Sequence, residues 1–156
     1  MSNLEKPRGG TMCLSKAGLV AGSDAAKAQI VAPNGAGVDF AIDGTLYHKA
    51  DTDDCVLFTD LTVTELYVNI HVVLLDTSGT VTVVQGTEVL ITEFNAGNKV
   101  LDWPEPTADT CPIGAIKVSA DTAVFTGATT DLGTGNTATY YDFCTIPPEP
   151  LTYNND

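Results

Sequence analysis

Positive charge is scarce in this chain: seven Lys and Arg stand against twenty Asp and Glu, a formal charge of -13. Neutralising phosphates requires a basic patch and none is visible, so the expectation is no nucleic-acid partner. Close approach to DNA or RNA would be repulsive at this charge, which points to a protein that works away from them. Long apolar runs are missing as well. Nothing after Met1 resembles an apolar signal segment and no stretch is long enough to span a bilayer, so synthesis in a reducing cytoplasm without a membrane anchor is expected. Nor does any window sustain apolar residues at helical spacing for three turns.

Reactive residues are equally few. Cys13, Cys55, Cys111 and Cys144 are widely separated and form no CxxC pair. Zinc sites usually draw two ligands from one knuckle, so free buried thiols are expected and no metal is assigned. His48 and His71 are the only imidazoles, and both fall within predicted strands rather than at loop tips. There is no G-x-S-x-G turn, H-E-x-x-H pair or P-loop. Asp51-Thr52-Asp53-Asp54 could suggest calcium, yet it lacks the loop glycine and distal glutamate of an EF-hand and reads as a solvated loop. The expectation is a non-enzymatic chain with no catalytic residues and no cofactor.

What is present is strand-forming. Hydrophobic residues make up 44% and charged residues 17%, too apolar for disorder and too poor in charge for a helical bundle. The most committed stretch is Glu65 to Glu88, read as a β-hairpin. Leu66, Val68, Ile70, Val72 and Leu74 alternate onto one wholly apolar face, and Tyr67, Asn69, His71, Val73 and Leu75 onto the other. Asp76 to Gly79 supplies the turn and Thr80 to Val84 the return strand. The first face is expected to be core. The second is expected to be a half-polar surface used for subunit contact.

A second hairpin is predicted over Val38–Ile42 and Thr45–Lys49, joined by Asp43-Gly44. Shorter strands are expected at Lys27–Val31 (with a helical turn over Asp24–Gln29 as the alternative), Val56–Phe58, Val89–Ile91, Ile113–Val118, Thr122–Phe125 and Thr139–Cys144. Gly114 marks a bulge or a close approach. Trp103, among Pro104 and Pro106, reads as an edge plug covering a core. Together these give a single compact antiparallel β-sandwich or barrel-like domain over residues 14–146. An N-terminal arm over 1–13 precedes it, and a proline-stiffened tail over 147–156 follows it.

Three stretches, in their order along the chain, resemble small virion proteins of tailed bacteriophages, the capsid decoration or head-stabilising (cement) type. They are LSKAGLVAGSDAAKAQIVAPNGAGVDFAIDGTLYHKAD from Leu14, VVLLDTSGTVTVVQG from Val72 and WPEPTADTCPIGAIKVSADTAVFTGATTDLG from Trp103. Similar hairpins occur in tail and fibre proteins. The resemblance implies a β-rich protein on the outer capsid surface of the virion, commonly a homotrimer, that binds the major capsid protein and cements adjacent capsomers without turnover or cofactor. It carries no fixed motif from which individual residues transfer. From the residues themselves, Lys6 and Arg8 in the arm, Tyr67 and His71 on the second hairpin face, and Trp103 are the expected contacts with a subunit or capsid. The competing expectation is a fibre or adhesin domain that binds a host glycan or protein, with Trp103, Tyr140 or Tyr141 as stacking platforms.

Overall fold

The computed structural model describes residues 10–144. Among them run strands β1 (Met12–Cys13), β2 (Leu19–Ala21), β3 (Ala28–Ile30), β4 (Val38–Ile42), β5 (Thr45–Lys49), β6 (Thr52–Val56), β7 (Thr62–Val63), β8 (Tyr67–Asp76), β9 (Val81–Gln85) and β10 (Val89–Leu90). A short helix, α1 (Ile91–Asn95), is followed by β11 (Thr110–Ser119), β12 (Phe125–Thr126) and β13 (Thr137–Asp142). The chain is all-β, as its pattern predicts. Its antiparallel strands form four sheets, β1-β4-β5, β2-β3-β6, β7-β12 and a five-stranded sheet ordered β10-β8-β11-β13 with β9 also on β8; none closes into a barrel. The expected tail and the arm residues before Gly10 lie outside the described residues, but pairing starts earlier than predicted: Met12 faces Ala41, and Cys13 faces Phe40 and is buried.

Both predicted hairpins form. In β4–β5, Asp43 and Gly44 both take positive φ (50° and 79°), the combination whose twist matches the flanking strands. In β8–β9, Asp76 closes the turn: its Oδ1 accepts from the amides of Ser78 and Thr80, each at 2.8 Å. Three weaker expectations shift. Thr122 to Val124 stays outside the strand, which holds only Phe125–Thr126, and Ile91 begins a helical turn instead of ending a strand. Of Val56–Phe58 only Val56 is in a strand, and Leu57 is exposed.

The acidic run at 51–54 is no solvated loop, because three of its carboxylates accept from the backbone of 23–32. Asp51 takes the Ala32 amide and Asp54 the Asp24 amide, at 2.8 and 2.9 Å, and Asp53 takes both the amide and the hydroxyl of Ser23. These side-chain bonds tie the run to the segment around β3, with which strand β6 pairs.

The main core draws on all four sheets. It includes Cys13 and Phe40, Ile30 and Val56, Val63 and Phe125, and Val73, Leu75, Ile113, Ile116 and Val118. A smaller cluster, Ile70, Val72, Leu74 and Ala115, lies on the opposite face of the five-stranded sheet, under Val84, Leu101 and Phe143. The two faces of β8 are therefore corrected. Asn69, His71, Val73 and Leu75, expected at a half-polar surface, are fully buried and face the main core, whereas the apolar face packs under a thinner cover. β8 is central to its sheet and covered on both sides, a situation that period-2 alternation does not distinguish from a one-sided strand. Leu66, expected in the core, is 57% exposed; its positive φ of 68° ends the alternation before β8 begins.

Candidate contact surface

The five residues singled out from sequence do not converge. Lys6 and Arg8 lie outside the described residues. Tyr67 is half-buried against the main core, and Trp103 stands 59% exposed on the irregular segment between α1 and β11.

His71 is wholly enclosed and presents no surface to a partner. Its ring meets Phe58 and Phe125 edge-on at 5.5 and 6.3 Å. Its Nδ1 lies 3.2 Å from the Ile116 carbonyl oxygen, which can only accept, so that nitrogen carries the hydrogen and Nε2 is left as a buried acceptor without a partner. Burial disfavours the imidazolium and pulls the pKa from 6.5 down to about 4, against a smaller upward pull from the Ile116 carbonyl and Glu88. A neutral ring sealed among phenylalanines has no route to a substrate. His48, by contrast, is at the surface, with Nδ1 2.7 Å from Asp39 Oδ1.

The surface that stands out is aromatic. Leu101 and Phe143 pack on the smaller cluster, which anchors both the segment carrying Trp103 and the chain leaving β13. The Trp103 ring meets Phe143 at 5.6 Å with planes 70° apart, a favourable edge-to-face geometry. Tyr141 pairs in register with Ala115 of the smaller cluster, which puts it on that face of the sheet, and it is 40% exposed. Val100, on the segment that leads to Trp103, is 72% exposed. Trp103 is thus not the plug that was predicted: Leu101 and Phe143 pack against the cluster, and the indole packs on Phe143 and stays mostly exposed. Tyr140 points the other way into the main core with its hydroxyl buried and unpartnered, which removes it as a stacking platform. The exposed carboxylates of Asp102 and Glu105 flank Trp103 in sequence.

Beside α1 the same sheet face forms a cleft of about 230 Å³ lined by Phe94, Asn95, Lys117, Asp121 and the hydroxyls of Ser119, Thr137 and Thr139. Its polar groups are largely engaged with one another. Asp121 accepts from Ser119 and Thr137, each at 2.7 Å, and Lys117 Nζ lies 5.4 Å from the centre of the Phe94 ring. Apolar exposure recurs on the sheet β2-β3-β6: Val20 faces Gln29 in register, and Val31, two residues further on, emerges on that side. Sequence reading missed both features, since an isolated valine or lysine carries no local signal of exposure.

Among the described residues, no group of three His, Cys, Asp or Glu side chains is arranged to hold a metal ion. All four cysteines are free. Burial pushes the thiol pKa of Cys13 up to about 12 and that of Cys111 up to about 11; Cys55 is half-buried, and Cys144, expected to be buried, is exposed. Comparison with known proteins finds no matching family, no matching curated protein and no matching solved structure.

Proposed function

We propose that this chain is a non-enzymatic structural protein of a phage virion. In this reading it binds the outer surface of the capsid, contacts the major capsid protein and stabilises the junctions between capsomers as a homotrimer. The observation that carries the reading is the exposure of the large apolar side chains Trp103, Tyr141 and Val100 on an otherwise acidic β-body. Apolar area of this kind is a usual mark of a protein contact. The charge of -13 adds support, because it suits a position away from packaged DNA and keeps the free protein soluble. The resemblance in residue pattern to head-stabilising proteins points the same way. The role requires neither cofactor nor nucleic acid nor membrane.

The test is to mix the purified chain with undecorated capsids and reconstruct the particles. Saturable density at symmetric outer sites, and particles that lose stability without the protein, are expected; capsids that remain bare at saturating protein overturn the reading. One observation favours a second reading, that of a fibre or adhesin domain: an exposed indole between acidic residues is also a stacking surface for a sugar. Specific binding on a glycan array, abolished by Trp103→Ala with folding intact, would put that reading first.

A further inference from the structure

We propose that Asn34, at the tip of the loop between β3 and β4, is a self-modifying site. In the folded chain its carboxamide converts spontaneously to aspartate and isoaspartate, by attack of the Gly35 amide nitrogen and loss of ammonia. The inference stands independently of the role proposed above.

Asn34 is the one asparagine of the chain that a glycine follows. A side chain at the next residue crowds the nitrogen that must close a ring on Cγ, and glycine has none. Pro33 to Ala36 are all exposed, so water and base reach the site. The fold adds a feature that the dipeptide alone does not have. Asn34 Oδ1 accepts from the Ala36 amide at 2.9 Å, the arrangement of an Asx turn. That bond turns the carboxamide back onto its own main chain. It also places a donor on the oxygen where negative charge develops when Cγ is attacked, as the donors of an oxyanion hole do.

One contact opposes the reaction. The Gly35 amide donates to the Ala32 carbonyl at 2.9 Å, and this bond must open before the nitrogen can attack. Only the tip has to move. Asp51 holds the Ala32 amide at 2.8 Å, and Gly37 lies so close to the backbone of Lys49 and Ala50 that a Cβ there would collide. At Gly35, by contrast, nothing lies within 4 Å of the Cβ position. Elsewhere the combination is missing: Asn69 and Asn136 are buried, and Asn95 and Asn98 precede Ala96 and Lys99.

The step needs only base and water. A base takes the Gly35 amide proton and the nitrogen bonds to Cγ; Nδ2 then gains a proton and leaves as ammonia, so that a cyclic imide remains. Water opens the imide at either carbonyl. One product is aspartate, and the other is isoaspartate, in which the main chain runs through Cγ. Both add a negative charge to a chain already at -13, and isoaspartate lengthens the turn that the bond from Gly35 to Ala32 closes.

The test incubates the full-length chain at mildly alkaline pH, folded and in urea, beside an Ala36→Pro variant whose sheet content is checked by circular dichroism. Intact mass reads the replacement of NH2 by OH, and peptide mapping locates it and separates the two products. Asn34 is expected to convert before every other asparagine of the folded wild type. Folded Ala36→Pro, which lacks the amide donor, is expected to convert at least about fivefold more slowly, and the two chains should differ by less than about twofold in urea.

A folded wild type that keeps Asn34 intact while the unfolded chain converts it would show that the fold shields the site, and overturns the proposal. Earlier conversion of any other asparagine overturns it too. Ala36→Pro that converts as fast as the wild type, or is slowed equally in both states, overturns the role given to the Ala36 amide.

Discussion

His71 shows what one buried polar atom does to the whole stability profile. Its folded pKa of about 4 lies below the ordinary 6.5, so the unfolded chain takes up the proton first. The stability associated with the neutral ring is fully present above pH 6.5, falls as the pH drops toward 4, and is flat below that. The gap corresponds to ~3 kcal/mol. His71→Phe removes both the orphaned Nε2 and the titration. Denaturant midpoints of the variant should therefore change less between pH 7 and pH 4.5 than those of the wild type; parallel profiles would show that the acid sensitivity arises elsewhere. Thiols give a second test at this scale. Cys144 is exposed and Cys13 and Cys111 are buried, so a brief maleimide treatment of the native protein should add one label, at Cys144, with Cys55 following more slowly. Intact-mass and peptide analysis would read both.

At the scale of elements, two glycines do different work. Gly44 sits in the β4–β5 turn at φ 79° with nothing within 4 Å of where a Cβ would be. Gly44→Ala should cost only the left-handed backbone penalty, ~1 kcal/mol. Gly114 lies where the register of β11 on β8 shifts, and a Cβ there would collide with the Leu19 side chain and the Tyr141 carbonyl. Gly114→Ala should cost about 1–3 kcal/mol by overpacking, and thermal unfolding of the two variants side by side would separate conformational from steric loss. The pair also shows what short-range signals convey. Asp43-Gly44 declared its turn because the requirement is local, and Gly114 declared an irregularity without saying what approaches it. The Asp51–Asp54 run misled for the same reason: the amides that its carboxylates accept from lie in residues 23–32, about twenty to thirty positions earlier.

At the scale of the whole molecule, stability and association should be carried by different aromatics. Tyr67 packs half-buried on the main core, so Tyr67→Ala should lower folding stability by roughly 2 kcal/mol. This reverses the expectation that its loss would fall mainly on association. Trp103 lies on top of Phe143 and is mostly exposed. Trp103→Ala should therefore change folding by less than about 1 kcal/mol and weaken association or capsid binding instead. Chemical denaturation together with light scattering checks both variants. Equal losses of stability in the two would mean that the Trp103 surface is a structural cover.

The sequence by itself determined the class of this protein, its two principal hairpins and its acidic character, because alternation, turn chemistry and charge are properties of neighbouring residues. Tertiary structure alone decided which side of β8 is the deeper core. A strand covered on both faces carries apolar residues in both phases, and only the packing of Phe58 and Phe125 over His71, against Leu101 and Phe143 over Ile70 and Val72, tells them apart. Tertiary structure likewise left Trp103 uncovered. Whether an indole plugs a core or lies above one depends on what reaches the space first, and here Leu101 and Phe143 fill it.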